Sequence, residues 1–316
     1  MAQTLADLGE FGLIKRIARA AARLGGPAVA LGIGDDAAVL RTRPGERLLA
    51  TTDALVEDVH FRWRSEKPAA VGRRALAAAL SDLAAMGGRP LGCLLALAAP
   101  PSLPLRRADG LVRGLLAAAR EHGCPLVGGN VTAARETSLT VTALGGARPG
   151  RILTRRGARP GDRILVTGTL GAAALGVARA ARGGRPAPPP RPRLAAGAAL
   201  ARTPGIGGCI DVSDGLEADL GHLLEAAAGG PLGAELDVAR LPLPRGFRAA
   251  CACLGQDPER LALAGGEDYE LLFTARPGAP GAAALARRLG LRVSEIGRVT
   301  ARPGPRRAPP GGWRHF

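Results

Sequence analysis

The chain has 316 residues, 47 % of them apolar and 22 % charged, which excludes a disordered chain and, on length, leads us to expect two domains of about 150 residues. A net charge of +16 raises nucleic acid as a partner, but only Lys15 and Lys67 of the 43 basic residues are lysines and the arginines form no dense run. No nucleic-acid partner is therefore expected, although the positive field favours anionic substrates.

Along the chain, Leu5, Leu8, Phe11, Ile14 and Ile17 recur at three-residue steps, which predicts one amphipathic helix over 3–24 or two shorter ones broken near Gly9 and Gly12. The string Gly32–Leu40, GIGDDAAVL, then carries the adjacent carboxylates Asp35 and Asp36 on a tight turn. A strand over 47–53 ending in Thr51-Thr52-Asp53, a helix over 68–86, a buried strand over 91–98, a helix over 104–122 and a short strand over 125–127 leading into a glycine turn, GGNVT, follow. Residues 138–144 alternate as a strand, and a domain boundary is expected near 150, giving domains 1–149 and 150–316.

In the second half, a strand over 163–167 meets GTLGAAALG, which turns into a helix, and GGRPAPPPRPR (183–193) reads as an exposed loop. A strand over 209–212, a helix over 215–228, a strand near 234–238, a helix over 244–254, GGEDYELLF and a last strand complete an α/β (α+β) pattern. Five cysteines make no disulfide framework and no zinc spacing, so buried free thiols are expected. The longest apolar run, Leu91–Ala99, is far short of a membrane span. Neither a membrane partner nor a location other than the cytoplasm is expected.

The chemistry concentrates on acidic residues beside Gly, Ser or Thr at element ends: Asp36, Asp53, Asp82, and the pair Asp211 and Asp214 flanking Ser213. A turn or helix cap would account for any one of them; together they form a set of hard oxygen donors suited to Mg²⁺ or Ca²⁺. Magnesium points to phosphate, yet no GxxxxGK[ST] string occurs, so a P-loop is excluded. GTLGAAALG and GGNVT are glycine-rich turns whose amides could hold phosphate oxygens. GGEDYELLF contains Tyr269, the one tyrosine of the chain, and His60 follows a strand in DVHF.

Taken in order, GEFGLI, GIGDDAAVL, TTDALVEDVHF, LSDLAAMGGRP, LVGGNVT, LTRRGARPGD, VTGTLGAAALG, DVSDGL, LAGGEDYELLFT, IGRV and the terminal GWRHF resemble the thiamine-monophosphate kinase family. That family lies within the ATP-binding proteins related to aminoimidazole ribonucleotide synthetase and selenophosphate synthetase. The resemblance implies a two-domain fold with an N-terminal sheet that pairs across a homodimer, and Mg-assisted transfer of a phosphoryl group from ATP to thiamine monophosphate. It implies metal ligation by Asp36, Thr51, Thr52, Asp53, Asp82, Asn130, Asp211 and Asp214, with Asp36, Asp53, Asp82, Asp214 and Arg155 central to catalysis. ATP contacts fall on Gly129, Asn130, Arg155 and Ser213, and thiamine monophosphate on His60, Glu267 and Trp313. Asn130 stands where many relatives have Asp, and His122 where they often have Tyr. A related synthetase with another acceptor, or a silent nucleotide-binding regulator, is the competing expectation.

Overall fold

The computed structural model describes residues 3–34 and 36–302. The chain divides into two compact units, one running up to Leu83 and resuming over Arg89–Pro149, the other comprising Ala84–Gly88 and the residues from Gly150 onward.

In the first unit the N-terminal amphipathic stretch breaks at Gly9 into α1 (Leu5–Leu8) and α2 (Glu10–Ala21), and α2 buries Leu13, Ile17 and Ala21, one side chain per turn. Strands β1 (Val29–Leu31) and β2 (Val39–Leu40) pair as an antiparallel ribbon around the acidic turn. The main sheet has the order β3-β6-β4-β5, from β3 (Arg47–Val56), β4 (Arg89–Ala99), β5 (Leu126–Ala133) and β6 (Ser138–Ala147). Its pairs are antiparallel except β4 with β5, which are joined by a helical crossover as parallel neighbours require.

Helices α3 (Pro68–Ala85) and α4 (Leu105–His122) bury Leu76, Leu80, Leu111 and Leu115, and the sheet buries Leu91, Leu97 and Leu139. The two helices touch at glycines: a Cβ on Gly72 would overlap the Leu111 carbonyl, and one on Gly114 the Ala69 carbonyl. A chain poor in aromatics fills its core by such close approach. The other face of the sheet is open, with Leu48, Ala50, Thr52, Ala96 and Asn130 exposed.

The second unit is an antiparallel sheet of order β8-β10-β7-β11-β9, made by β7 (Arg163–Thr167), β8 (Ile206–Asp211), β9 (Gly233–Leu236), β10 (Leu271–Ala275) and β11 (Val293–Thr300). Helices α5 (Ala172–Ala181), α6 (Leu194–Leu200), α7 (Leu216–Glu225), α8 (Phe247–Cys253), α9 (Pro258–Ala264) and α10 (Ala282–Leu289) complete it. Alternate residues of β7, β8 and β10 enter two separate cores, Ile164, Val166, Ile210 and Leu272 on one face and Leu165, Cys209, Leu271 and Phe273 on the other.

Mixed helix and sheet in both halves agrees with the α/β (α+β) expectation. Three local expectations need correction. GGNVT is not a turn but the body of β5, paired with β4. The glycines disguise a strand there: a Cβ on Gly129 would overlap the Leu95 backbone, and one on Gly128 would press on the Leu94 side chain. Helices α6, α9 and α10, of only seven or eight residues each, are too short to be singled out. Of the cysteines, Cys253 is exposed while Cys93, Cys124, Cys209 and Cys251 are buried thiols.

Candidate active site

In the first unit, Asp36 is exposed on the turn between β1 and β2. The pleat of β3 sends Thr51 and Asp53 to the side of buried Leu55 and Thr52 to the opposite side. Thr51 donates its hydroxyl proton to the Asp82 carboxylate on α3, so two oxygen donors separated in sequence meet where the helix crosses the strand. On the open face, Thr142 Oγ1 lies 3.2 Å from Thr52 Oγ1, and the register Ala54–Thr140–Ala96–Asn130 puts Asn130 on that same face. The eight-residue ligand set of the sequence is thus split: Thr51, Asp53 and Asp82 share one side of the sheet, and the side chains of Thr52 and Asn130 stand on the other.

Gly129, beside Asn130, has φ of 153°, and a Cβ there would overlap the Leu95 carbonyl. A glycine is required at this point of β5 for the strand to pair. His60 lies in the loop after β3, where its Nδ1 accepts the Val56 N–H at 3.1 Å and its carbonyl accepts from Arg74 at 2.6 Å. With Nδ1 an acceptor, the neutral ring carries its proton on Nε2. His122 closes α4.

In the second unit, Asp211 ends β8 opposite Leu271 and is 3 % exposed. Ser213 and Asp214, half-buried, form the loop into α7. Asp214 does not cap that helix; the N-cap is Gly215. Asp219, from the first turn of α7, folds back and accepts the N–H groups of Ser213, Asp214 and Gly215. Burial raises Asp219 to about 7, the charges of Asp214 and Asp211 add to that rise, and the N–H donors oppose it. Arg155 is exposed on a 3₁₀ turn whose preceding residue, Thr154, accepts the Cys209 N–H at 3.0 Å, tying the turn to β8.

The GGEDYE segment runs alongside this loop. Glu267 donates its N–H to the Ser213 carbonyl and Tyr269 its N–H to that of Val212, each at 2.8 Å. Both residues hold positive φ, 64° and 50°, a strain that non-glycine residues keep only when their surroundings impose it. Asp268 accepts the N–H groups of Gly171 at 2.6 Å and Ala173 at 3.3 Å, so the amides at the start of α5 that the sequence offered to phosphate are bonded to the protein's own carboxylate. Burial raises Asp268 to about 7 as well. Glu270 accepts two hydrogen bonds from Arg193, at 2.7 and 2.5 Å, and one from Thr167 at 2.7 Å.

Asp219, Asp268, Glu270 and Arg193 were missed in the sequence. An acidic residue inside a helical turn carries no local sign of the loop it will bond, and Arg193 closes a proline-rich segment. Trp313 lies outside the described residues, as does Asp35. Among the described residues no group of three or more His, Cys, Asp and Glu could hold a metal ion by itself. No thiol is placed as a nucleophile: burial, with the charge of Asp211, pushes the Cys209 thiol well up.

Residues 34–147 match the model of AIR synthase related protein, N-terminal domain, and residues 159–308 that of its C-terminal domain. The thiamine-monophosphate kinase of Synechococcus elongatus is 37 % identical over 289 residues, covering 85 % of this chain and 84 % of that protein. The chain belongs to the thiamine-monophosphate kinase family. Among solved structures of that family, the kinase from Stenotrophomonas maltophilia K279a superposes with a TM-score of 0.81 at 37 % identity, over 94 % of this chain and 96 % of its own. AaThiL, in complex with AMPPCP and TMP, gives a TM-score of 0.76 at 32 % identity with both chains fully covered. The kinase-family fold therefore extends through both units.

Proposed function

We propose that this chain transfers the terminal phosphoryl group of ATP to thiamine monophosphate, forming thiamine diphosphate. The observation that carries this is the full-length match to AaThiL, whose complex contains an ATP analogue and TMP. The acidic and hydroxyl groups described above lie on the motifs that carry the family resemblance.

The donor set fits magnesium. It consists of hard carboxylate and hydroxyl oxygens, two of which, from Thr51 and Asp82, are brought together where helix crosses strand. Mg²⁺ is usually held by one or two carboxylates together with waters and substrate phosphates. In the first unit Thr51, Asp53 and Asp82, with Asp36 as a further oxygen donor, and in the second unit Asp211 and Asp214, would each offer ligands to magnesium; the side chains of Thr52 and Asn130, on the other side of the sheet, do not join the Thr51, Asp53 and Asp82 set. Bound magnesium would neutralise charge on the transferring group.

The acceptor phosphate is ionised near neutral pH, so no general base is needed. The chain's work is then positioning. Gly129, Asn130, Arg155 and Ser213 would contact ATP, with the Arg155 guanidinium balancing triphosphate charge, and His60, Glu267 and Trp313 would contact the acceptor. In this reading 1–149 is the nucleotide, metal and dimerisation domain, 150–316 is the second domain, and the enzyme is cytoplasmic, where ATP is available. The homodimer is supported by the exposed, uncharged face of the β3-β6-β4-β5 sheet, where Leu48, Ala50 and Ala96 are open to solvent.

Purified protein with ATP, Mg²⁺ and thiamine monophosphate is expected to form thiamine diphosphate, and neither EDTA-treated protein nor free thiamine as acceptor is expected to do so. Asp53→Asn should lower turnover by about a hundredfold or more with little change in melting temperature. Intact ATP binding without product would move the assignment to another acceptor, and equal loss of turnover and stability would make Asp53 structural.

A further inference from the structure

The loop between β8 and α7 is held along both edges. Asp219 is 2 % exposed, and its Oδ2 accepts three consecutive N–H groups, from Ser213 at 2.9 Å, Asp214 at 3.0 Å and Gly215 at 3.2 Å. Across the loop, the Ser213 and Val212 carbonyls accept from Glu267 and Tyr269, and the Val212 N–H donates to the Glu270 carbonyl, all at 2.8 Å. With its N–H groups and the Val212 and Ser213 carbonyls engaged, the loop presents the half-buried side chains of Ser213 and Asp214.

A capping group that serves only a helix normally precedes it and remains near solvent. Here the N-cap position is a glycine without a side chain, and the donors are met by a buried carboxylate from inside the helix. Burying a carboxylate against a loop that itself carries Asp214 is a costly arrangement if stability were the sole result.

We propose that Asp219 is a positioning residue for phosphoryl transfer: by gathering three successive N–H groups it sets the direction in which Ser213 and Asp214 face the nucleotide and its metal. The inference rests on the function proposed above. A neutral amide can accept the same N–H groups, so geometry and not charge is the requirement.

The test compares Asp219→Ala and Asp219→Asn with the wild type in thermal melting, in Mg²⁺-dependent binding of a non-hydrolysable ATP analogue, and in steady-state phosphorylation of thiamine monophosphate. Asp219→Ala is expected to need more Mg²⁺ for analogue binding and to lose kcat about a hundredfold, since small misplacements of reacting groups have effects of that order. Its KM for thiamine monophosphate should stay within about threefold, and Asp219→Asn should recover both kcat and the Mg²⁺ requirement to within about threefold.

An Asp219→Ala protein that melts lower but keeps wild-type kcat and Mg²⁺ requirement would overturn the proposal, because Asp219 would then be structural. So would an Asn variant as impaired as Ala, which would point to charge. If the Ala variant does not fold, Asp219→Glu, whose longer arm displaces the loop, replaces it with the same two outcomes. A wild type that phosphorylates no thiamine monophosphate defeats the functional reading alone; analogue binding still decides the role of Asp219.

Discussion

Asp268 shows how one carboxyl can carry a pH signature. Its folded-state pKa is raised to about 7 by burial, against about 3.9 for an unfolded aspartate. Between those values the folded chain binds more protons than the unfolded one, so stability falls as pH rises through the interval and levels off above it. The loss is expected to be at most about 4 kcal/mol, since one pKa unit corresponds to about 1.4 kcal/mol. Asp268→Asn, which keeps an acceptor for the Gly171 N–H, should reduce this slope between about pH 4 and pH 7 in denaturant titrations and leave the part that Asp219, also raised to about 7, contributes. A slope identical to that of the wild type would assign the effect elsewhere.

At the scale of the element, the proline-rich segment 183–193 has no regular structure, as its composition dictates, but it is not simply a solvated loop. Pro192 is buried, a Cβ at Gly176 of α5 would overlap Ala187, and Arg193 makes its bidentate pair with Glu270, whose side chain is 5 % exposed. The segment is thus strapped to the strand end that follows GGEDYE. Removing Arg193 leaves that carboxylate buried without its cation, so Arg193→Ala is expected to lower stability by about 3 kcal/mol. Arg191→Ala, an exposed position in the same loop, should change it by less than about 0.5 kcal/mol. Equal effects in chemical denaturation would show that the strap does not hold the loop.

For the whole molecule, the open face of the first unit's sheet sets an expectation about assembly. It carries a patch of apolar side chains among the uncharged polar residues Thr52, Thr140, Thr142 and Asn130: Leu48 is 58 % exposed, and Ala50 and Ala96 are exposed beside half-buried Leu94 and Leu144. A solvated antiparallel face would alternate to polar residues, and a contiguous apolar patch marks an interaction surface. The protein is expected to sediment as a dimer, and Ala96→Arg, which sets a charge in the middle of that face, should yield monomers. A wild type that remains monomeric at all concentrations would remove the dimer from the proposal.

The sequence alone determined the class of the fold, the family and the acidic positions, because hydrophobic periodicity and short motifs are local and survive in the bare order of residues. Thr51, Asp53 and Asp82 were legible as oxygen donors from their glycine, serine and threonine settings. What only the tertiary structure decided was which of these donors meet. The pleat of β3 parts Thr52 from Thr51 and Asp53, a helix crossing brings Asp82 to Thr51, and GGNVT became a strand because a neighbouring backbone lay against Gly129. Asp219, Asp268, Glu270 and Arg193 acquire their roles from partners that folding supplies, three backbone amides, a helix start and a buried ion pair. Burial and long-range pairing create those roles, and neither is written in any short stretch of the chain.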